Sequence, residues 1–220
     1  MNRLFDAALR LIYPLKAECM GCGDRSGMDT EWICPECRQV LAKNWVGADA
    51  PPGAEIDAAA YAYLYRGPAG RMARKLKYNQ VRGLAKLMAA DMVRAYGFIR
   101  PTGADCVVPV PMHPRRLKKR GFNHAALLAD AVGGSLGLPR VDALARVRDT
   151  VQQVILEDEA RRNNLKDAFA AIADVSGRRV LLVDDVCTTG TTARECARAL
   201  RDAGASHVYL LCFAIAERKN

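Results

Sequence analysis

Apolar positions recur along the chain in two periods, and the alternation between them defines the elements. Residues 2–16 place Leu4, Phe5, Ala8, Leu9 and Ile12 on one stripe, which predicts a short amphipathic helix. Within 55–65, Tyr61, Tyr63 and Tyr65 alternate. That spacing predicts a strand showing all three rings on one face, packed against a helix. Helical spacing returns at Gly67–Lys77 and at Val81–Tyr96, the second with Leu84, Leu87, Met88, Met92 and Val93 as its core stripe. From residue 105 the pattern becomes regular. DCVVPV reads as a buried strand, Ala125–Leu136 as a helix, Arg179–Val183 as an apolar strand, Thr192–Ala203 as a helix and His207–Ala216 as a last strand. Strands alternating with helices predict an α/β domain, a parallel sheet flanked by helices. Small ligands in such sheets sit outside the carboxyl ends of the strands.

Composition narrows the class. The 220 residues, 24.0 kDa, leave room for one full domain and a small appendage. Asn44–Gly53, with Pro51 and Pro52, reads as the linker, so the expected domains are 1–50 and 51–220. The longest apolar run, Val208–Ala216, is far short of the ~20 residues of a membrane span. Arg3, Asp6 and Arg10 interrupt the N-terminal apolar positions, so a cytoplasmic protein is expected. The net charge of +9 favours anionic partners. Two basic runs carry much of it: Arg71, Arg74, Lys75, Lys77 and Arg82, then Arg115, Arg116, Lys118, Lys119 and Arg120. A solvated face is the plain reading of either run alone.

Four of the eight cysteines are paired by spacing. Cys19 and Cys22 form one Cys-x-x-Cys knuckle, Cys34 and Cys37 another. Two such knuckles supply four thiolates to a tetrahedral Zn2+. With all four positions cysteine, no site is left for a catalytic water, so the ion is expected to be structural. A dithiol redox role needs only one pair. The remaining Cys106, Cys187, Cys196 and Cys212 are expected to be small buried hydrophobes, with Cys187 in the candidate ligand loop.

The most informative stretch is VLLVDDVCTTGTTARECARAL. Val180–Val183 predict a strand ending in Asp184 and Asp185, followed by a loop, Val186–Thr192, and a helix. Gly190 permits a backbone turn, and Thr188, Thr189, Thr191 and Thr192 supply hydroxyls. Loop amides and the helix N-terminus together make an anion site. Two carboxylates facing a phosphate would repel it. They make sense facing hydroxyls or a cation, as on a ribose bearing a phosphate. An internal salt bridge turned from solvent would contradict that reading. A plain strand-turn-helix with a threonine N-cap explains the threonines but not the acid pair.

This stretch resembles the phosphoribosyl pyrophosphate (PRPP) motif of type I phosphoribosyltransferases. The resemblance implies that Asp184 and Asp185 hold the ribose hydroxyls, while Thr188, Thr189, Gly190, Thr191 and Thr192 hold the 5′-phosphate. A second resemblance covers nearly the whole chain. A four-cysteine ribbon ahead of this domain is similar to the ComF family of double zinc ribbon proteins linked to competence. RMARKLKYNQVRGLAKLMA and VVPVPMHPRRLKKRGFNHAALLA look like its basic helical segment and its characteristic strand and loop. Arg146, Thr150, Gln153, Leu156, Arg161 and Asn164 match its spacing, and Ala168 and Phe169 its following pair. His124 stands where the family leads one to expect Gln.

The resemblance implies a phosphoribosyltransferase that binds PRPP with Mg2+ and displaces pyrophosphate. Amides near Met112 and His113 would meet the pyrophosphate, and Arg115, Lys118 and Arg120 would neutralise it. RRLKKRG is expected to be mobile charge that closes over the ligand. Transfer passes through an oxocarbenium-like state, so electrostatic stabilisation carries most of the chemistry. Asp184, Asp185, Lys118 and Arg120 are the expected catalytic set. Purine-salvage members carry an acid where Thr188 stands, so an amine or an orotate-like anion is the better acceptor. The alternative is a PRPP- or nucleotide-binding accessory protein in DNA uptake that contacts single-stranded DNA.

Overall fold

Val180, Leu181, Leu182 and Val183 are all fully buried, so both faces of their strand have to be covered and the strand has to be central. A computed structural model describes residues 18–24, 32–78, 83–99, 103–148 and 167–217. The helix expected at 2–16, Arg82, and Thr150, Gln153, Leu156, Arg161 and Asn164 lie outside them. The described elements are α1 (Pro35–Lys43), β1 (Trp45–Asp49), β2 (Ala58–Leu64), α2 (Gly67–Tyr78), α3 (Leu84–Tyr96), β3 (Cys106–Pro109), α4 (Pro114–Arg120), α5 (His124–Leu136), β4 (Leu144–Arg146), β5 (Phe169–Ala171), β6 (Arg179–Cys187), α6 (Thr191–Asp202) and β7 (His207–Ile215).

Five strands form one sheet in the order β1-β2-β7-β6-β3. β2, β7, β6 and β3 run parallel, and β1 closes the edge antiparallel to β2. β4 and β5 make a separate antiparallel pair. Alternate residues of β6 feed two cores. Leu181 and Val183 join Met72, Leu76, Met88 and Leu128 under α2, α3 and α5. Val180 and Leu182 join Cys196, Ala197 and Leu200 of α6. Each fully buried Leu or Met contributes about 2 kcal/mol by leaving water. Cys19, Ile33, Cys37 and Leu41 of the ribbon belong to the first core, so the ribbon shares a core with the sheet. No helix among the described residues is long and apolar enough to cross a membrane.

Three local expectations are corrected. The segment read as a linker contains the edge strand β1, whose pairing partner lies across a loop in β2. The tyrosine ladder does not keep one face: Tyr61 joins the α6-side core and Tyr63 the opposite one. The alternation slips by one residue there, as it does where Phe213 and Ala214 of β7 share a cluster. RRLKKRG is not an irregular loop. Pro114 at the first position and the His113 ring accepting from Arg115 N–H at 3.3 Å start the short helix α4.

Candidate functional site

β6 continues through Cys187 rather than ending at the acids, because Asp184, Val186 and Cys187 keep pairing with β7. On its other side β3 stops at Pro109, after which Val110 N–H donates to Val183 O at 2.9 Å. The acids therefore sit at the carboxyl end of a central strand, just where one neighbour leaves. Successive strand residues point to opposite faces. Asp185 turns toward α2 and α5 and is 2% exposed; the Asp184 side chain is 17% exposed. For Asp185 this is the internal salt bridge turned from solvent that contradicts a ligand-facing acid, so an outward-facing acid remains at Asp184 alone; the uninterrupted strand, which turns the two side chains to opposite faces, is the reason.

Asp185 is held by two groups. The Lys77 ammonium lies 2.7 Å from Oδ2, and His124 Nε2 lies 3.2 Å from Oδ1. His124 Nε2 is also 4.0 Å from Asp184 Oδ1. On the far side of the ring, Arg120 Nη1 is 3.1 Å from His124 Nδ1. Arginine can only donate, so Nδ1 accepts and Nε2 carries the proton given to Asp185. The Arg120 guanidinium also stacks on the exposed Tyr78 ring, 5.1 Å from its centre.

The two carboxyls are driven apart electrostatically. Burial, and then the Asp185 charge, pushes the Asp184 carboxyl up to about 7. Burial acts on Asp185 too, but the hydrogen bond from His124 and the Lys77 charge outweigh it and hold its carboxyl well below the usual range. Burial opposes the charge on Lys77, and Asp185 reverses that to hold the ammonium above its ordinary value. One acid is thus permanently charged and internally neutralised. The other is pushed up to about 7 and stays partly exposed at the carboxyl end of the strand, the kind of divergence found at working sites.

Beyond Cys187 the chain bends through Thr188, Thr189 and Gly190 into α6. Thr188 and Thr189 are exposed, and Thr192 is half-buried. Thr189 Oγ1 lies 3.0 Å from Thr191 Oγ1, and Arg194 Nη2 lies 3.4 Å from the latter. Gly190 caps α6 at φ +76°, where a Cβ would also collide with the Pro52 ring. Gly190→Ala should therefore cost about 1–2 kcal/mol from the left-handed backbone alone, more if Pro52 cannot yield. Thermal unfolding checks this.

The other expected anion-binding groups are dispersed. Met112 and His113 are half-buried between β3 and α4, while Arg115 and Lys118 are exposed on α4. Of the expected basic set, Arg120 reaches the acids, through His124. The first basic run divides by role. Arg71 binds the carbonyl of Gly21, Lys75 pairs with Glu18 at 3.1 Å and with Cys19 O at 3.3 Å, and Lys77 enters the acid site. Arg71 and Lys75 of that run therefore bind the ribbon to α2.

The ribbon brings its four sulfurs within 4.8 Å of one another. Cys22 Sγ and Cys34 Sγ lie 3.8 Å apart, the edge of a tetrahedron with Zn–S bonds of about 2.3 Å. The amides of Gly21 and Cys34 each donate to Cys19 Sγ at 3.3 Å, and Asp24 N–H donates to Cys22 Sγ at 3.4 Å. Against burial, the amides of Cys34, Cys22 and Gly21 bring the Cys19 thiol down to about 6. Burial and the neighbouring sulfurs push Cys37 far up, a conflict that a shared dication resolves. At Gly21 a Cβ would meet Cys37 Sγ at 2.8 Å. The donor set and its crowding fit zinc.

Lys77 and His124 are the site residues that the sequence reading did not place. Lys77 follows Leu76, the last apolar residue of the buried α2 stripe, and so borders the core; His124 showed only as a departure from the expected Gln. Among known proteins, the phosphoribosyl transferase domain family matches residues 117–220. DNA utilization protein YhgH of Escherichia coli O157:H7 is 30% identical over 207 residues, covering 88% of each chain. Competence protein F of Haemophilus influenzae is 37% identical over 108 residues, 47% of each chain. A solved purine phosphoribosyltransferase from Pyrococcus horikoshii superposes with a TM-score of 0.38 at 15% identity, covering 60% of this chain and 85% of that one. With a four-cysteine cluster ahead of a phosphoribosyltransferase-type sheet, and a relative matched along most of both chains, this chain belongs to the ComF family.

Proposed function

We propose that the chain binds PRPP with Mg2+ and transfers its phosphoribosyl group to an acceptor, releasing pyrophosphate. The observation that carries this is a titratable acid, Asp184, beside a threonine-rich helix N-terminus at the open carboxyl end of β6. The amides and hydroxyls from Thr188 to Thr192 bind the 5′-phosphate. Asp184 accepts from a ribose hydroxyl, while Asp185, buried against Lys77 and His124, fixes those two groups beside the site. Arg120 turns from His124 to the pyrophosphate, joined by Arg115 and Lys118 as α4 approaches. Asp184 is also the carboxylate left to meet Mg2+, which when bound supplies charge neutralisation at the leaving group. The bond from C1′ to the pyrophosphate oxygen breaks with its electron pair leaving on that oxygen, and the acceptor closes on C1′. Thr188 offers no acid to assist a purine, which favours an amine or an anionic base. The test is pyrophosphate release from PRPP across an acceptor panel, water included. Turnover with one acceptor supports the reading; none with any acceptor counts against it.

Because the Asp184 carboxyl titrates at about 7, its charge is present above that pH and lost below it. PRPP–Mg2+ affinity should be flat above pH 7 and fall by about tenfold per pH unit below it. Calorimetry of the native chain at several pH values checks this; an affinity that does not change between pH 8 and pH 6 would contradict it.

The exposed charges of α4, and the DNA-utilization and competence names of the relatives, favour a second reading, contact with single-stranded DNA. Its affinity should then fall steeply with salt. A flat salt response removes it. A structural Zn2+ held by Cys19, Cys22, Cys34 and Cys37 belongs to either reading.

A further inference from the structure

A cavity of about 640 Å³ lies where the ribbon meets the sheet, walled by α1, the ends of β1 and β2, and α3. Its volume is that of a small-molecule site. Three aromatic rings line it: Trp32 from the ribbon, Trp45 from β1 and Tyr63 from β2. These rings are fixed in place. Trp45 meets Tyr63 edge-on at 5.4 Å, and Tyr63 meets Phe213 the same way at 5.4 Å. Within this apolar wall stands one acid, Asp91 of α3. Burial raises its carboxyl, and the Tyr63 hydroxyl and the Arg94 and Arg38 charges act the other way. Arg38 and Arg94 are exposed at the rim, Arg94 stacked on Trp45 at 4.4 Å.

A carboxylate in an aromatic slot, with two guanidiniums at the mouth, selects a particular shape. Flat π-faces accept any nucleobase. A carboxylate accepts only, so it favours an edge offering two adjacent donors. Among the common bases, guanine presents that edge, N1–H beside N2–H. Adenine and cytosine set a lone pair beside their amino group and would face the carboxylate in repulsion. The rim arginines match a phosphate.

We propose that this cavity is a second binding site, separate from the acid pair, for a guanine nucleotide. The base lies among Trp32, Trp45 and Tyr63, Asp91 accepts from its donor edge, and Arg38 and Arg94 meet the phosphate. The site does not depend on the transferase reading. Helix α2 links the two places, since Met72 lines the cavity and Lys77 holds Asp185.

The chain has two tryptophans, and both line the cavity, so tryptophan emission reports directly on occupancy. Titration of the full chain with guanosine 5′-monophosphate should change the emission saturably. The midpoints for the adenine and cytosine monophosphates should be at least about tenfold higher. Asp91→Asn should remove that preference by a similar factor. Arg94→Ala, at an exposed position that cannot unfold the core, should weaken the nucleotide relative to guanosine. Asp184→Asn should leave the titration unchanged. A short single strand carrying one guanine, run beside the same strand carrying adenine there, tells which form is held more tightly; tighter binding of the guanine strand supports guanine recognition. Three results overturn the proposal: no emission change at millimolar nucleotide in folded protein, equal midpoints for all bases, or loss of the response in Asp184→Asn.

Discussion

Asp184→Asn will raise the melting temperature at pH 8 and abolish PRPP binding. The two effects have one cause. In the folded chain the Asp184 carboxyl is pushed up to about 7 by burial and by the Asp185 charge. Above that pH its ionised form is held against a cost that the unfolded chain does not bear. That cost is absent below the ordinary carboxylate range, grows as pH rises toward 7, and is constant beyond. Asparagine keeps the shape and removes the charge, so folding should gain on the order of 2 kcal/mol at pH 8. Asp185→Asn should do the reverse. Its carboxyl is depressed, so its contribution is present above the ordinary range and disappears as pH falls through the depressed value. Removing the charge strands the Lys77 ammonium in a half-buried site, a loss of about 3 kcal/mol at neutral pH. Lys77→Met should cost a similar amount from the other side. Two neighbouring acids with opposite effects on stability, read by thermal unfolding at pH 8, would mark one as structural and the other as kept for binding. Equal losses in both variants would mean that Asp184 is a structural group.

Withholding zinc from the proposed four-cysteine site should have the largest effect on the molecule. The ribbon contributes Cys19, Ile33, Cys37 and Leu41 to the core beneath α2, and α2 carries Lys77 into the acid site. A four-thiolate zinc contributes about 10 kcal/mol or more to the folding of so small a module. Chelation, or Cys37→Ser, should expose the apolar side of α2 and free Arg71 and Lys75 from the ribbon carbonyls. Metal analysis should find one zinc per chain in the native protein and a deficit in Cys37→Ser. Hydrogen exchange should show α1 and α2 opening together. If the metal-free chain melts at the same temperature as the native one, the cluster holds no structural ion.

Much of this architecture was legible from spacing. The alternation of buried runs with helical stripes marked β3, α5, β6, α6 and β7 within a few residues, because each is a local period imposed by burial. The clustering of Cys19, Cys22, Cys34 and Cys37 was legible because thiolates meant for one ion need fixed short separations. Gly190 and the threonines were legible because a bend into a helix has local rules. What escaped depends on distance along the chain. Asp185 meets Lys77 across more than a hundred residues, through a parallel crossover that no local pattern encodes. The same holds for β1, whose five residues read as a linker until β2 lies beside them. The expectation that the acid pair ends its strand erred for a related reason. Charged residues looked like a boundary, but β7 continues alongside and its backbone pairing carries β6 on to Cys187, which turns the two carboxylates apart.

The most direct measurement is calorimetric titration of the intact chain with PRPP and Mg2+ at pH 8, beside Asp184→Asn. A saturable one-to-one heat that needs Mg2+ and vanishes in the variant is the predicted result. No heat with millimolar PRPP in folded, zinc-loaded protein, or the same heat in both proteins, would contradict the assignment of the crevice at the end of β6.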